Sequence, residues 1–103
     1  MASKIHQKLA QAVIDGQIEG AKALAQEALE QGLDAYACVT KGLVKGIQYV
    51  GKLHSSGEIS LPDLMNSSNA MEAALIVFEP ALKNDKNREV IALIVLEKTR
   101  NSI

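Results

Sequence analysis

Between Gly42 and Met71 the chain reads GLVKGIQYVGKLHSSGEISLPDLMNSSNAM. An apolar stripe at helical spacing is punctuated by glycines, broken by a short polar stretch, and followed by a Leu-Pro pair that opens a second stripe. Gly42, Gly46 and Gly51 fall inside the first of these helices, and each costs about 1 kcal/mol relative to alanine in a helix interior. That cost implies something large or close beside this helix. Ser55-Ser56-Gly57 ends the periodicity, and Pro62 suits the first turn of the next helix, where its missing N–H is no loss. The stretch therefore predicts two helices meeting at a bend that carries His54 through Leu61.

With 103 residues the chain is one domain, and 48% apolar residues with only two Tyr, one Phe and no Trp leave a core of Ala, Leu, Ile and Val. Alanine carries the lowest helical entropy cost and permits short interaxial distances, so the composition predicts an all-α bundle of closely packed helices. Acids and bases are interspersed along the sequence and the net charge is −1. With no basic stripe evident, neither nucleic acid nor an anionic membrane surface is an expected partner. The single Cys38 rules out an internal disulfide, and residues 1–11 lack the apolar core of a signal peptide. The cytoplasm is the expected location. The longest apolar run, Val90 to Leu96, is far shorter than the roughly 20 residues a bilayer span needs.

Ser3 reads as the cap of a first helix with Ile5, Leu9, Ala12 and Val13 at helical spacing, closed by Asp15-Gly16. A second helix begins near Ile18 with Ala21, Leu24, Ala25, Ala28 and Leu29 on one face, and Gly32 stands where a left-handed cap belongs. Asp34 is a suitable N-cap for a third helix whose stripe is Tyr36, Val39, Leu43, Ile47, Val50 and His54. The fourth carries Leu64, Ser68, Met71, Leu75, Phe78 and Leu82, with Pro80 expected to kink or end it. Residues 83–88 read as a linker. The following EVIALIVLE, residues 89–97, suits a buried strand or a fifth helix, and a lone strand must pair with another molecule. A homo-oligomer joined through Val90 to Leu96, a dimer in the simplest case, is expected.

Residues from Ala12 to Leu82 resemble the N-terminal helical cap domain of corrinoid (cobalamin-dependent) methyltransferase proteins, such as the methanol and methylamine corrinoid proteins and methionine synthase. AVIDGQIEGAKALAQEALEQGLDA is similar to that family's opening helical pair, GLVKGIQYVGKL to its Gly-spaced third helix, and GEISLPDLMNSSNAMEAAL to its acidic, Leu-Pro, acidic, Ala-Met pattern. The resemblance implies a four-helix bundle over residues 1–83, cap-like as in methionine synthase. The loop before Leu61 then shields the upper, methyl-bearing face of cobalamin from water and stray nucleophiles. It implies a methyltransferase subunit or a separate cobalamin domain as partner. In the family a Rossmann-like domain follows, with an Asp-x-His-x-x-Gly motif whose His ligates cobalt from below. Residues 84–103 resemble only a linker and the first strand of that domain. A chain lacking the motif is not expected to hold cobalamin tightly alone.

The resemblance directs attention to four candidate cofactor-binding residues, His54, Ser60, Leu61 and Ser68. Leu61 matches the family's Leu and is placed to pack over the corrin, whereas His54 and Ser60 stand where the family usually has aromatics, making a wetter, less bulky lid. His54 has a structural reading too, as a helix C-terminal residue complementing the dipole. Ser68 lies on the apolar stripe, lining a cavity or bonding back to a carbonyl. Glu58 and Asp63 flank Leu61 as a general acid/base pair or, more simply, as a solvated loop residue and a first-turn acid. Cys38 reads as a small buried thiol, His6 as an exposed residue of a frayed helix, and Met65 and Met71 as core filler. No catalytic group is assigned, and no His/Cys/carboxylate cluster has metal-ligand spacing. Besides the cap reading, a self-associating helical module without cofactor and a small-molecule sensor built on His54, Leu61 and Ser68 remain open.

Overall fold

A computed structural model describes residues 4–82. The Ser3 cap, the run 90–96 with the association assigned to it, and the boundary between 1–83 and 84–103 lie outside the described residues. Within them the elements are α1 (Lys4–Ile14), α2 (Ile18–Glu30), α3 (Ala35–Cys38), a π-helical turn (Val39–Leu43), α4 (Val44–Ser55) and α5 (Leu61–Leu82). All are helical, as the alanine-rich composition predicts, and no strand occurs among the described residues.

Each helix end follows from local chemistry. The carboxylate of Asp34 accepts from the Ala37 N–H at 3.0 Å and starts α3. After α4 the Gly57 N–H donates to the His54 carbonyl and the Glu58 N–H to the Leu53 carbonyl, with Gly57 at φ 81°. This paired closure needs a left-handed residue, which glycine adopts without a Cβ clash. The same pairs of bonds close α1 at Gly16 and α2 at Gly32. Pro80 lies inside α5, which runs on to Leu82. The helix therefore does not stop at the proline itself.

The third helix of the sequence reading divides into α3, the π-helical turn and α4, joined by residues that all keep right-handed helical backbone. The Val44 N–H reaches back to the Val39 carbonyl, and the Thr40 hydroxyl donates to the Tyr36 carbonyl at 3.0 Å. Such wide turns interrupt the ordinary ladder and rotate the residues that follow.

Counted as one, that composite rod makes a four-helix bundle. α1 lies against α2 and α4, α5 lies against α2 and α4, and α2 and α4 do not touch, so the order around the bundle is α1, α2, α5, α4. Ala21, Ala25 and Ala28 of α2 and Ala70 and Ala74 of α5 are fully buried, which lets these two helices form the broadest contact. Phe78, Leu9, Val13 and Leu43 fill the centre. Two of the three glycines inside the composite rod have the neighbour that the sequence requires, and it is α1. A Cβ on Gly42 would lie 3.1 Å from the His6 carbonyl oxygen, and one on Gly46 2.6 Å from that of Ala10. Gly51 differs, with nothing within 4 Å of its Cβ position.

His6 is buried rather than exposed, with 8% of its surface accessible. The approach of α1 to Gly42 brings its first turn down onto the π-helical turn. Burial lowers the imidazole pKa, Lys41 lowers it further, and Asp34 acts in the opposite direction.

Candidate functional site

The bend occupies residues 56–60, between the end of α4 and the start of α5. Two sets of bonds hold it. The Ser56 hydroxyl lies 3.0 Å from the Leu53 carbonyl oxygen and 2.6 Å from Glu58 Oε2, within donating distance of both. On the other side the Ser60 hydroxyl donates to Asp63 Oδ2 at 3.1 Å and the Ser60 N–H to the same oxygen at 3.4 Å. The Leu64 N–H meets the Ser60 carbonyl at 3.2 Å. Ser60 is therefore the N-cap and Asp63 the acid three residues on, the acidic half of a capping box at the positive end of α5. Glu58 and Asp63, weighed from the sequence as an acid/base pair, are instead each bonded to a serine on their own side of the bend.

This scaffold leaves Leu61 at the first helical position with 56% of its surface exposed, and Met65, one turn on, with 55% exposed. Residues four apart share a helix face, so the two form an apolar pair open to solvent beside the bend. Full burial of such side chains from full exposure is worth about 1.5–3 kcal/mol each, and roughly half of that remains available to whatever covers them. Met71 is core filler as expected, whereas Met65 is not; its offset of four from Leu61, off the Leu64–Met71 stripe, was the signal for this.

The other candidates are less alike in setting than the sequence suggested. His54 is half-buried in the last turn of α4, Ser60 is exposed within the cap, and Ser68 is half-buried on α5. The serine sunk into the bundle is Ser67, 2% exposed, whose hydroxyl donates to the Ile14 carbonyl at 3.3 Å. A depression near the end of α4 is lined by Gln48, Gly51, Lys52, Ser55 and Ser56, not by His54, Leu61 or Ser68. Cys38 is fully buried, and burial, with Asp34 adding to it, pushes its thiol pKa up, so it is no nucleophile at neutral pH. Among the described residues no group of three His, Cys, Asp or Glu is placed to hold a metal ion, and no helix is long and apolar enough to cross a membrane.

An exposed aliphatic pair on a bonded, rigid helix start is suited to lie on a flat apolar surface and does not enclose one. Comparison with known proteins identifies the family of the bundle. Residues 5–79 match the family described as the B12 binding domain. The chain belongs to the B12 binding domain family. It is 40% identical over 82 residues to a corrinoid protein of Desulfitobacterium hafniense, covering 80% of this chain and 38% of that one. It is 39% identical over 83 residues to monomethylamine corrinoid protein 1 of Methanosarcina acetivorans, covering 81% and 38%. The solved structure of the Methanosarcina barkeri monomethylamine corrinoid protein superimposes with a TM-score of 0.78 at 36% identity, covering 84% of this chain and 41% of that one. The chain thus spans about two fifths of the length of these relatives. Cobalamin is the cofactor of the family to which this bundle belongs.

Proposed function

We propose that this B12-binding-family bundle acts in methyl transfer as the cap over the upper face of cobalamin. The observation that carries the reading is the half-exposed Leu61–Met65 pair, fixed at the bend by the Ser60–Asp63 cap. When bound, the corrin supplies cobalt as the carrier of the methyl group. The chain's part is to cover: Leu61 and Met65 lie on the macrocycle and exclude water, while His54, Ser60 and Ser68 provide polar contacts at the margin. A rigid helix start suits this work, because a lid that shifts by an ångström admits water. An open pair without walls supports only weak binding by the bundle alone. The reading takes a methyltransferase as partner and the cytoplasm as the place of work.

Equilibrium dialysis of the full chain against methylcobalamin in the dark tests the proposal. The wild type should retain corrin at millimolar concentrations, and Leu61→Asp should retain several-fold less at unchanged helix content. Equal retention by the two would contradict it. The competing reading, a self-associating module joined through the run 90–96, predicts salt-insensitive oligomers that disappear when the chain is cut at residue 83; light scattering separates the two.

A further inference from the structure

Folding sorts the charges that the sequence intersperses. On α1, α3, the π-helical turn and α4 there are five lysines, Lys4, Lys8, Lys41, Lys45 and Lys52, and no carboxylate. On α2 and α5 there are six carboxylates and a single lysine. Because α1 neighbours α4, α2 neighbours α5, and α2 and α4 do not touch, these sets form two opposite layers of the bundle. The basic stripe that the sequence reading did not find is thus assembled from two helices 30 residues apart. Lys41, Lys45 and Lys52 are exposed and make no ion pair among the described residues.

Each layer also carries one feature that internal packing leaves unexplained. On the basic side, Gly51 costs α4 about 1 kcal/mol relative to alanine although an added Cβ would meet nothing within 4 Å, and it opens into the depression lined by Gln48, Lys52, Ser55 and Ser56. On the acidic side, Ile76 of α5 is 61% exposed, more than any other large apolar side chain among the described residues. Glu72 and Glu79, four before and three after it, share its face.

We infer that the basic layer is a docking face for the acidic layer of a second copy of this chain. Ile76 of one copy enters the Gly51 depression of the next, and the exposed Glu79 beside it meets Lys45 or Lys52. The complementarity of the layers selects this occupant, since both halves of the contact are present on one chain. Because the layers are opposite, the contact is head-to-tail and repeats rather than closing on a twofold axis. Charge pairing at such a rim sets orientation and rate, and the apolar knob adds burial. The acidic layer repels an extended polyanion, which disfavours nucleic acid as the occupant. Leu61 and Met65 lie on α5 with Ile76, 15 and 11 residues nearer the bend, and the depression reaches the bend through Ser56; Leu61→Asp, which tests the corrin reading, leaves Lys45, Lys52, Ile76 and Glu79 in place, so failure of the one can be told from failure of the other.

Sedimentation equilibrium of the full chain tests it. The weight-average mass should rise with concentration in 20 mM NaCl, and the association constant should fall by about tenfold or more in 500 mM NaCl as screening shortens the range of the charges. Lys45→Glu/Lys52→Glu and Glu79→Lys should each be monomeric alone and should associate when mixed, because the mixture restores one complementary contact. That rescue also shows that both variants fold. Gly51→Leu should abolish association while retaining helix content. A wild type that is monomeric at 1 mM in low salt, charge variants that associate alone, or a mixture that stays monomeric would each overturn the inference.

Discussion

A methyl group at Gly46 would lie 2.6 Å from the Ala10 carbonyl oxygen and 3.0 Å from Val13 Cβ, whereas one at Gly51 would touch nothing within 4 Å. Gly46→Ala should therefore push α1 outward and cost about 1–3 kcal/mol, and Gly51→Ala should add about 0.5–1 kcal/mol through helix propensity alone. Urea unfolding reads both, and the opposite signs are the test. His6 gives the second prediction at this scale. Its folded pKa is lowered from the ordinary 6.5, first by burial and then by Lys41, so the unfolded chain binds the proton more readily. Its contribution is complete above the unfolded value and is lost as pH falls through 6.5 toward the lowered folded value. The urea midpoint should drop between pH 7.5 and 5.5, and His6→Gln should reduce that drop. An equal drop in the variant would show that other groups carry it.

At the scale of elements, the cap on α5 is the piece that holds the candidate site, and Ser60→Ala with Asp63→Asn should cost about 1–2 kcal/mol in total. Proteolysis should then cut first within residues 56–60; unchanged cleavage kinetics would mean that the cap does not hold the bend. Much of this was legible: Gly16, Gly32 and Gly57 mark the three helix ends, Asp34 the start of α3, and the Leu-Pro pair the start of α5. The face of α5 was legible only in part. Leu64, Ser68, Met71 and Leu75 form the edge of a wider buried face that takes in Ser67, Ala70 and Ala74. Alanine contributes little to a hydrophobic pattern, so the side that α2 approaches most closely was the side the pattern showed least. The π-helical turn was not legible either; it lies where α1 crosses at Gly42, a contact between segments distant in sequence. His6 was misplaced for the same reason, and the exposed Leu61–Met65 pair could be placed only once the bend was.

At the scale of the whole molecule, the four helices of the described residues bury an alanine-rich core and carry a basic layer, an opposite acidic layer, and an apolar pair at the bend end of α5. In the proposed reading the end surface carries the function, as a cover for one side of cobalamin, and it depends on Leu61 and Met65 staying on the outside of the bundle. The Ser60–Asp63 cap and the Gly57 closure bracket the start of the helix that presents them. The most direct test is residue-resolved NMR of the full chain titrated with methylcobalamin in the dark. The account predicts progressive shifts confined to the bend and the first turns of α5, centred on His54, Ser60, Leu61 and Met65. Shifts centred on another face, or none up to millimolar corrin, would contradict it.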